Sequence, residues 1–345
     1  MAWRLTSPDF WWRDRSAAGY ALAPLGWAYG AVSRSRMERP GTKVDIPVIC
    51  VGNLVLGGAG KTPTALAIAG LAREVGAAPG FLSRGYGGRE TGPVLVSRGA
   101  HTAADVGDEP LLLAALAPTV VAADRVSGAR LLAELGMDLI IMDDGFQNPS
   151  LTKDLSLLVV DGMRGIGNGL VFPAGPLRAP LLSQLRRADA LIVLGGTGAT
   201  ASRGVRAAAR AGLPIIRAEL EPVRTRGFKK KSYLAFAGMG SPAKFFATLE
   251  QAGVTVAARL SYPDHHAYSD AECESLLKRV EDESLVPITT EKDRVRLLGR
   301  EGPARRLADR AEVFPVKLRF DEPRRMIGLL RGVTADSTSW RKSGS

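Results

Sequence analysis

The chain has 345 residues and carries 46 Lys plus Arg against 35 Asp plus Glu, a formal net charge of +11. Apolar residues make up 46% and charged residues 23%, a globular composition that excludes disordered, collagenous and low-complexity chains. The length predicts two domains. The sequence has no uninterrupted run of about 18 apolar residues, which excludes a polytopic membrane protein. Cys50 and Cys273 lie far apart without His or Cys at ligand spacing, which argues against a disulfide framework or a zinc site and favours a reducing cytosol.

The first 43 residues are aromatic and basic. They hold four of the five tryptophans and seven basic residues against three acidic ones. Their apolar stretch, 17–32, is interrupted by Pro24 and three glycines and is too short to span a bilayer. Because Trp and Tyr favour the headgroup level and Arg is attracted to anionic lipid, residues 1–43 predict a helical segment that associates with a membrane interface. The alternative is a helix packed on the protein core.

Apolar runs alternate with helix-like stretches between residues 44 and 224. Predicted strands lie at 46–51, 119–122, 139–142, 155–160 and 190–194. Predicted helices lie at 64–75, 111–116 and 126–135. Because strands that alternate with helices pair in parallel, this pattern predicts an α/β domain with a parallel sheet and helices on both faces, over residues 44–224.

A second, smaller α/β domain is predicted over residues 225–334. The basic, turn-rich stretch 221–231 forms a hinge before a new strand begins at Tyr233. Further strand and helix patterns follow at 243–252, 255–260, 271–280, 286–290 and 312–316. Residues 335–345 are polar and predict a frayed tail.

A glycine-rich turn separates the first predicted strand from the first predicted helix. Its residues are Gly57, Gly58, Ala59, Gly60, Lys61, Thr62 and Pro63. In such a loop the backbone N–H groups point inward, the lysine reaches the β and γ phosphates, and the threonine hydroxyl can bind Mg²⁺. Val55 stands where the standard spacing has a first glycine, but the three glycines supply the required backbone freedom. We therefore predict a P-loop NTPase-like domain, the alternative being a glycine-rich turn beside a chance lysine.

Carboxylates follow a second predicted strand. Asp143 and Asp144 come directly after the apolar run 139–142, where a parallel α/β sheet binds its ligands. Alone, such a pair is typical of a turn or a helix cap. Together with the glycine-rich loop it predicts a metal site.

Two further segments carry groups suited to proton transfer. Asp108 and Glu109 precede a leucine-rich helix, where they could act on a sugar hydroxyl or only cap that helix. His265 and His266 follow Asp264 in an aromatic loop that could equally be a surface turn. The charged residues 291–293 follow a predicted strand, a position that solvated clusters also occupy.

Several segments together resemble one family. They lie at 51–53, 57–63, 83–87, 107–110, 143–147, 165–168, 173–178, 264–265 and 290–293. They resemble the tetraacyldisaccharide 4′-kinases, the lipid A 4′-kinases of Gram-negative bacteria, from the N-terminal aromatic segment to about residue 328. The resemblance implies ATP-dependent phosphorylation of the 4′-hydroxyl of a tetraacylated glucosamine disaccharide 1-phosphate. It also implies a location on the cytoplasmic face of the inner membrane, peripheral or N-terminally anchored, and an active site in the cleft between two α/β domains.

The resemblance also assigns roles to residues. Asp108 is the implied base for the sugar hydroxyl, His265 pairs with it, and Lys61 acts on the phosphates that residues 57–63 hold. The implied Mg²⁺ site comprises Thr62, Gln147, Asp143 and Asp144. The further motif positions are Arg84, Tyr86, Glu109, Arg125, Arg178 and Asp264.

Two positions depart from the family pattern. Asn148 stands where family members usually have His, and Ala179 stands where they usually have Glu between Arg178 and Pro180. If that Glu contributes to the metal shell in the family, water or another carboxylate must replace it in this chain.

Two other classes of function compete with the kinase. A nucleotide-driven switch or metallochaperone GTPase could use the same loop, but the sequence has no Cys-rich or His-rich delivery motif and only a faint imitation of a guanine-reading motif at 290–293. Nucleic-acid binding rests on the net charge alone, because the basic residues are dispersed without stacking aromatics, and we expect no nucleic-acid partner. The sequence specifies no oligomeric state.

Overall fold

The structure, a computed structural model, describes residues 7–196 and 198–343, with side chains up to residue 334. The helices are α1 (Ala17–Met37), α2 (Lys61–Glu74), α3 (Ala103–Val106), α4 (Asp108–Leu113), α5 (Arg125–Glu134), α6 (Leu181–Leu185), α7 (Ala199–Arg210), α8 (Pro242–Gln251), α9 (Asp270–Asp282), α10 (Glu291–Leu297), α11 (Gly302–Arg310) and α12 (Pro323–Ser343). The strands are β1 (Val48–Asn53), β2 (Pro79–Ser83), β3 (Val94–Leu95), β4 (Thr119–Val121), β5 (Leu139–Asp143), β6 (Leu155–Asp161), β7 (Ala190–Leu194), β8 (Ile215–Pro222), β9 (Ser232–Ala237), β10 (Thr255–Ser261), β11 (Val286–Thr289), β12 (Glu312–Val313) and β13 (Val316–Phe320).

The larger sheet has nine strands in the order β13-β8-β7-β6-β1-β5-β2-β4-β3. Its inner strands pair in parallel, and only the two edge strands, β13 and β3, run antiparallel to their neighbours. Apolar side chains of α2, α4 and α12 cover one face, and those of α5, α6 and α7 cover the other. The parallel strands are therefore buried on both faces, as their unbroken apolar runs predicted.

The smaller sheet has four parallel strands in the order β10-β9-β11-β12. Helices α9 and α11 cover one of its faces with an apolar cluster that includes Leu276 and Leu307. Phe245, Phe246 and Leu249 of α8 pack on the other face. The mixed α/β class with a second, smaller sheet agrees with the sequence-based prediction.

The carboxyl ends of the two sheets face each other. On the larger sheet, β1 leads into the glycine-rich loop and β5 ends at Asp143. On the smaller sheet, the segments that follow β9, β10 and β11 approach this edge, and α10 packs on α4. A Cβ added to Gly240, after β9, would lie 3.6 Å from the backbone nitrogen of Gly58. Ligands of α/β sheets bind at such carboxyl ends, so we expect a ligand site in this cleft.

The C-terminal segment differs from the sequence-based division. The sequence patterns place residues 316–334 in the smaller domain, but β13 returns to the larger sheet and pairs antiparallel with β8. Helix α12 then packs on α2 through Met326 and Leu330. Its backbone remains helical to Ser343, so the segment expected to fray from residue 335 continues this helix, and residues 344 and 345 lie outside the described part.

The N-terminal segment forms a short 3-10 helix, Asp9–Trp12, and then the continuous helix α1. The glycines that seemed to interrupt it instead make a flat packing face. Gly19, Gly26 and Gly30 are buried, and a Cβ on Gly26 would lie 2.7 Å from the carbonyl oxygen of Val171. Trp11 is also buried, and its indole N–H donates to the carbonyl of Pro173 at 3.0 Å.

Away from these glycines, the surface of α1 is largely apolar and exposed. Its exposed large side chains are Tyr20, Leu25, Trp27, Tyr29 and Val32. Trp27 is the most open of them, with 74% of its surface exposed. Within residues 7–196 and 198–343, no helix is both long and apolar enough to cross a bilayer. Trp3, which also belonged to the predicted membrane-associating segment, lies outside the described residues.

Candidate active site

The glycine-rich loop connects β1 to α2 and is shaped by backbone contacts. Asn53, the last residue of β1, donates its side-chain amide to the carbonyl of Gly57 at 2.9 Å. Gly57 and Gly60 adopt φ angles of 99° and 84°, a region that L-residues with a Cβ rarely enter. A Cβ on Gly60 would also lie 2.2 Å from Leu194 Cδ2. The loop therefore delivers the N-terminus of α2, with Lys61, Thr62 and Pro63 in its first turn, into the cleft.

Lys61 and Thr62 lie against the two carboxylates at the end of β5. The Lys61 ammonium is 3.5 Å from Asp144 Oδ2, and the Thr62 hydroxyl donates to Asp143 Oδ2 at 3.3 Å. Burial raises the pKa of Asp143, and Glu109 and Asp144 add to this effect, although Lys61 and Thr62 oppose it. Burial also acts to raise the pKa of Asp144, but Lys61 and Arg178 outweigh it and hold that pKa below its usual range. The pKa values of the two neighbouring carboxylates are therefore shifted in opposite directions.

Arg178 fixes Asp144 in a strained conformation. Its guanidinium donates to both oxygens of Asp144, at 2.7 and 3.1 Å, and its Nε donates to the carbonyl of Val55 at 3.0 Å. This bidentate pair holds Asp144 at a φ of 54°, which a non-glycine residue adopts rarely. Arg178 thereby joins the end of β5 to the start of the glycine-rich loop.

Gln147 lies in the same network but is occupied by protein groups. Its amide nitrogen donates to the carbonyl of Asn53 and to Gln184 Oε1, both at 3.0 Å, and its oxygen lies 3.4 Å from Arg178. Gln184 in turn donates to the carbonyl of Ala179 at 2.7 Å. At the two positions that depart from the family pattern, Ala179 is thus a buried backbone acceptor, and the Asn148 side chain accepts from the backbone of Ser150 at 2.8 Å.

Two arginines at other motif positions follow strands of the larger sheet, Arg84 after β2 and Arg125 after β4. Arg125 begins α5, is 2% exposed and donates to the carbonyls of Ala122 and Ala123. Burial lowers its pKa, and the positive charge of Arg84 acts in the same direction. Tyr86 is exposed, and its ring meets the imidazole of His265 edge-on at a centroid distance of 5.6 Å.

Asp108 and His265 meet across the cleft. Asp108 is the first residue of α4 and His265 follows β10, and His265 Nδ1 lies 3.1 Å from Asp108 Oδ2. The other oxygen of Asp108, Oδ1, is shielded from solvent and accepts no hydrogen bond from any residue that the structure describes. Burial acts to raise the pKa of Asp108, but the hydrogen bond from His265 and the charges of Lys292 and Arg296 place it below the usual range.

The structure adds two residues to which the sequence patterns assigned no role. Arg296 donates through Nε to Asp108 Oδ2 at 2.6 Å, and the Lys292 ammonium lies 3.1 Å from Glu109 and 3.3 Å from His265 Nε2. Lys292 stands within segment 290–293, whose charges looked solvated, whereas it is only 22% exposed. The available signal was a pair of basic residues four positions apart, one helical turn, in the stretch that follows a predicted strand. Asp264 lies 3.9 Å from Lys292 and near Gly58.

The residues at the loop fit a nucleotide with a magnesium ion. Asp143 Oδ1 is buried and accepts no hydrogen bond within the described residues, and it stands beside the Thr62 hydroxyl. Mg²⁺ prefers such oxygen donors and takes only one or two carboxylates, the remainder being water and phosphate. Among the described residues no three His, Cys, Asp or Glu converge on one metal position.

The chain is similar in sequence to known proteins along most of its length. A family model described as tetraacyldisaccharide-1-P 4′-kinase matches residues 18–334. The tetraacyldisaccharide 4′-kinase of Methylobacterium nodulans is 53% identical over 322 residues, which cover 92% of this chain and 93% of that protein. Its counterpart from a Bradyrhizobium species is 50% identical over 320 residues, with coverages of 92% and 95%.

A solved structure extends the agreement to the fold. LpxK from Aquifex aeolicus, crystallised in complex with ATP, superposes with a TM-score of 0.71 at 28% identity, covering 92% of this chain and 99% of its own. The matches span nearly the whole chain and both of its sheets. The chain therefore belongs to the tetraacyldisaccharide-1-P 4′-kinase family, as the resemblance of its motifs predicted, and it is a kinase.

Proposed function

We propose that this kinase transfers the γ-phosphoryl group of ATP to the 4′-hydroxyl of a tetraacylated glucosamine disaccharide 1-phosphate within the cleft between the two sheets. Family membership supports the reaction and the lipid acceptor, and the ATP in the Aquifex relative supports the nucleotide. The observation that carries the proposal is the contact of Asp108 with His265, which joins groups from the two sheets beside the glycine-rich loop.

The glycine-rich loop holds the nucleotide in this proposal. Backbone N–H groups of residues 57–60 and the N-terminus of α2 surround the phosphates, and the Lys61 ammonium stabilises the charge of the transferring group. Arg178 keeps Asp144 beside Lys61 through a bidentate pair, so the lysine stays directed into the cleft. Gln147 supports the same loop through the carbonyl of Asn53.

Thr62 and Asp143 would hold Mg²⁺ in this proposal, since their oxygens are adjacent and Asp143 Oδ1 is otherwise unpaired among the described residues. Mg²⁺ held there would neutralise charge on the phosphates. Asp144 and Gln147, which the family resemblance also linked to the metal, act instead through their contacts with Lys61, Arg178 and Asn53.

Asp108 receives the acceptor hydroxyl through Oδ1. The hydroxyl oxygen forms a bond to the γ phosphorus, the bond from that phosphorus to the β–γ bridging oxygen breaks, and ADP leaves with that electron pair. The hydroxyl proton passes to Asp108. Phosphoryl transfer has a loose transition state, so a carboxylate with a lowered pKa suffices when it orients the hydroxyl well. His265 and Arg296 hold the other oxygen and fix this orientation.

The test is label transfer from γ-labelled ATP to the tetraacyl disaccharide 1-phosphate in the presence of Mg²⁺. We expect labelled lipid that requires both ATP and the acceptor, with little nucleotide hydrolysis in the absence of the acceptor. Unlabelled lipid together with brisk GTP hydrolysis would contradict this proposal and support the nucleotide-switch alternative.

The apolar side of α1 lies on the membrane surface in this proposal, which brings the cleft to its lipid substrate at the cytoplasmic face of the inner membrane. Exposed Trp27 and Leu25 supply the inserted side chains, and the basic residues of the segment attract anionic lipid. The variants Trp27→Ser and Leu25→Ser should cosediment less with anionic vesicles. Leu135→Ser, at the end of α5, is the matched control and should bind as the natural sequence does.

A further inference from the structure

Helix α10 presents two cations to the two carboxylates that begin α4. Lys292 and Arg296 are one helical turn apart and therefore share a face of α10. Lys292 lies 3.1 Å from Glu109, and Arg296 lies 2.6 Å from Asp108. Arg296 and Asp108 are only 6% and 5% exposed, so this ion pair is sheltered from solvent and only weakly screened.

Arg296 is itself anchored in the smaller sheet. Its Nη1 donates to the carbonyl of Gly238 at 2.6 Å and to Asp293 at 2.9 Å. Asp293 is fully buried and also accepts from the Gly238 N–H and the Tyr268 hydroxyl. Because a guanidinium is a rigid plane, fixing Nη1 at the end of β9 also fixes Nε against Asp108. Arg296 thereby occupies Oδ2 together with His265, while Oδ1 accepts from no described residue.

Lys292 defines the hydrogen position on His265. Its ammonium has donors only, so at 3.3 Å it requires His265 Nε2 to be the acceptor. The ring hydrogen then sits on Nδ1 and points at Asp108 Oδ2. Burial acts to lower the pKa of Lys292, but Glu109, Asp108 and Asp264 outweigh it and raise that pKa, which keeps the group a cation.

We propose that Lys292 and Arg296 are positioning residues of the phosphoryl transfer, a pair of cations on α10 that sets the ring hydrogen of His265 and the free oxygen of Asp108. The proposal rests on the proposed function, in which Asp108 receives the acceptor hydroxyl. Both residues act through the Asp108–His265 pair. Two residues of α10, which follows the smaller sheet, thus orient the carboxylate of Asp108 on α4, beside the larger sheet.

The Lys292 part of the proposal is tested by nitrogen NMR of the histidine rings. The chain has three histidines, so ring-labelled protein gives few signals, and His265→Gln assigns one of them. The charged groups that face this ring include Asp108, Lys292 and Asp264. We expect the ring hydrogen on Nδ1 in the natural protein and in Lys292→Arg. In Lys292→Met, Nε2 loses the contact with the Lys292 ammonium, so the share of the Nε2–H tautomer should rise.

Two outcomes of this measurement would overturn the proposal: an Nε2–H form in the natural protein, or an unchanged ring in Lys292→Met. The readout needs neither substrate nor turnover. A natural protein that transferred no phosphate would therefore contradict the proposed function while the ring hydrogen remained measurable, so the two failures are distinguishable.

The Arg296 part is tested by kinetics. Arg296→Gln should lower turnover about 100-fold with little change in the KM for lipid, because a misplaced catalytic group costs rate more than binding. Arg296→Lys keeps the charge without the planar fork and should lose less. Added guanidinium should restore part of the turnover of Arg296→Gly.

The matched control is Arg300→Gln. Arg300 lies just beyond α10 and binds Asp270 at 2.6 Å and the carbonyl of Tyr268, so it supports the same loop without touching Asp108. We expect near-normal turnover. An equal loss in Arg300→Gln, or normal turnover in folded Arg296→Gln, would overturn a positioning role. If the Arg296 variants do not fold, the ring hydrogen of His265 in Lys292→Met, where the side chain is partly exposed, decides the proposal.

Discussion

Lys61 is the residue whose loss should remove the most charge stabilisation from the transferring phosphoryl group. Removing one such preorganised contact commonly costs about 100-fold or more in turnover, so Lys61→Ala should fall at least that far in the label-transfer assay. Lys43→Ala removes an exposed lysine that pairs with Asp154, and it should retain normal turnover. Normal activity in Lys61→Ala would exclude this lysine from the site.

Gly60 is constrained twice, by its φ of 84° and by the closeness of Leu194. Gly76, just beyond α2, has a φ of 90°, but a Cβ added there would meet no atom within 4 Å, so this glycine carries the backbone constraint alone. Gly76→Ala should therefore cost about 1–2 kcal/mol of unfolding free energy. Gly60→Ala should cost about 1–3 kcal/mol more, from overpacking. Equal losses on urea unfolding would show that Leu194 does not constrain the loop.

At the scale of elements, the turn that presents Asp108 depends on a capping box at α3. Asp105 accepts from the Thr102 N–H and hydroxyl, both at 2.7 Å, and from Arg89 Nε at 2.9 Å. The Thr102 bonds, aided by Arg89, lower the pKa of Asp105 from 3.8 to about 2. A lowered pKa in the folded state means that the carboxylate stabilises the fold above its unfolded pKa, and that this contribution is lost as the pH falls through the folded value.

Asp105→Asn should consequently unfold more easily than the natural protein at pH 6, because the ionised acceptor is gone. The difference in unfolding free energy should shrink as the pH falls from 3.8 to about 2, where the natural carboxylate becomes protonated. Denaturant unfolding at a series of pH values measures it. Asp309→Asn, at an exposed pair with Arg305, is the control. A difference that stayed constant down to about pH 2 would contradict the assigned cause.

Helix α1 docks through its glycines, and this predicts how to release it. Gly26→Leu places a side chain where a Cβ alone would lie 2.7 Å from the carbonyl of Val171. Hydrogen exchange of the α1 amides should therefore become much faster, whereas Val32→Leu on the exposed side should leave exchange unchanged. Unchanged protection in Gly26→Leu would mean that the glycine face does not hold the helix.

At the scale of the whole molecule, local patterns predicted the fold class. Buried parallel strands are continuous apolar runs, and β1, β5, β6 and β7 were found where such runs occur. The glycine-rich loop and Asp143 were visible for the same reason, since each adjoins a strand end. The resemblance of motifs to a known family singled out Asp108 and His265, which the residues alone left compatible with a cap and a surface turn.

Long-range features were not predictable from these patterns. The return of β13 depends on antiparallel pairing with β8, a contact between distant residues that no local period encodes. The glycines of α1 looked like interruptions because their partner, the segment around Val171, is far away in the chain. The charged residues 291–293 were compatible with a solvated cluster, and Arg296 had no predicted role, until α10 was placed against α4. We propose, with this correction, that residues 44–224 and 316–343 form one domain and residues 225–315 the other.

We propose that groups from the two sheets act as one catalytic unit. A double-mutant cycle on turnover with Asp108→Asn and His265→Ala tests it most directly, since residues that work together lose activity non-additively. His266→Ala is the control. His266 pairs with Glu272 at 3.0 Å, so this variant should keep its activity. We predict a double mutant hardly slower than the slower single mutant. Fully multiplicative losses, or normal turnover in either single mutant, would contradict the claim.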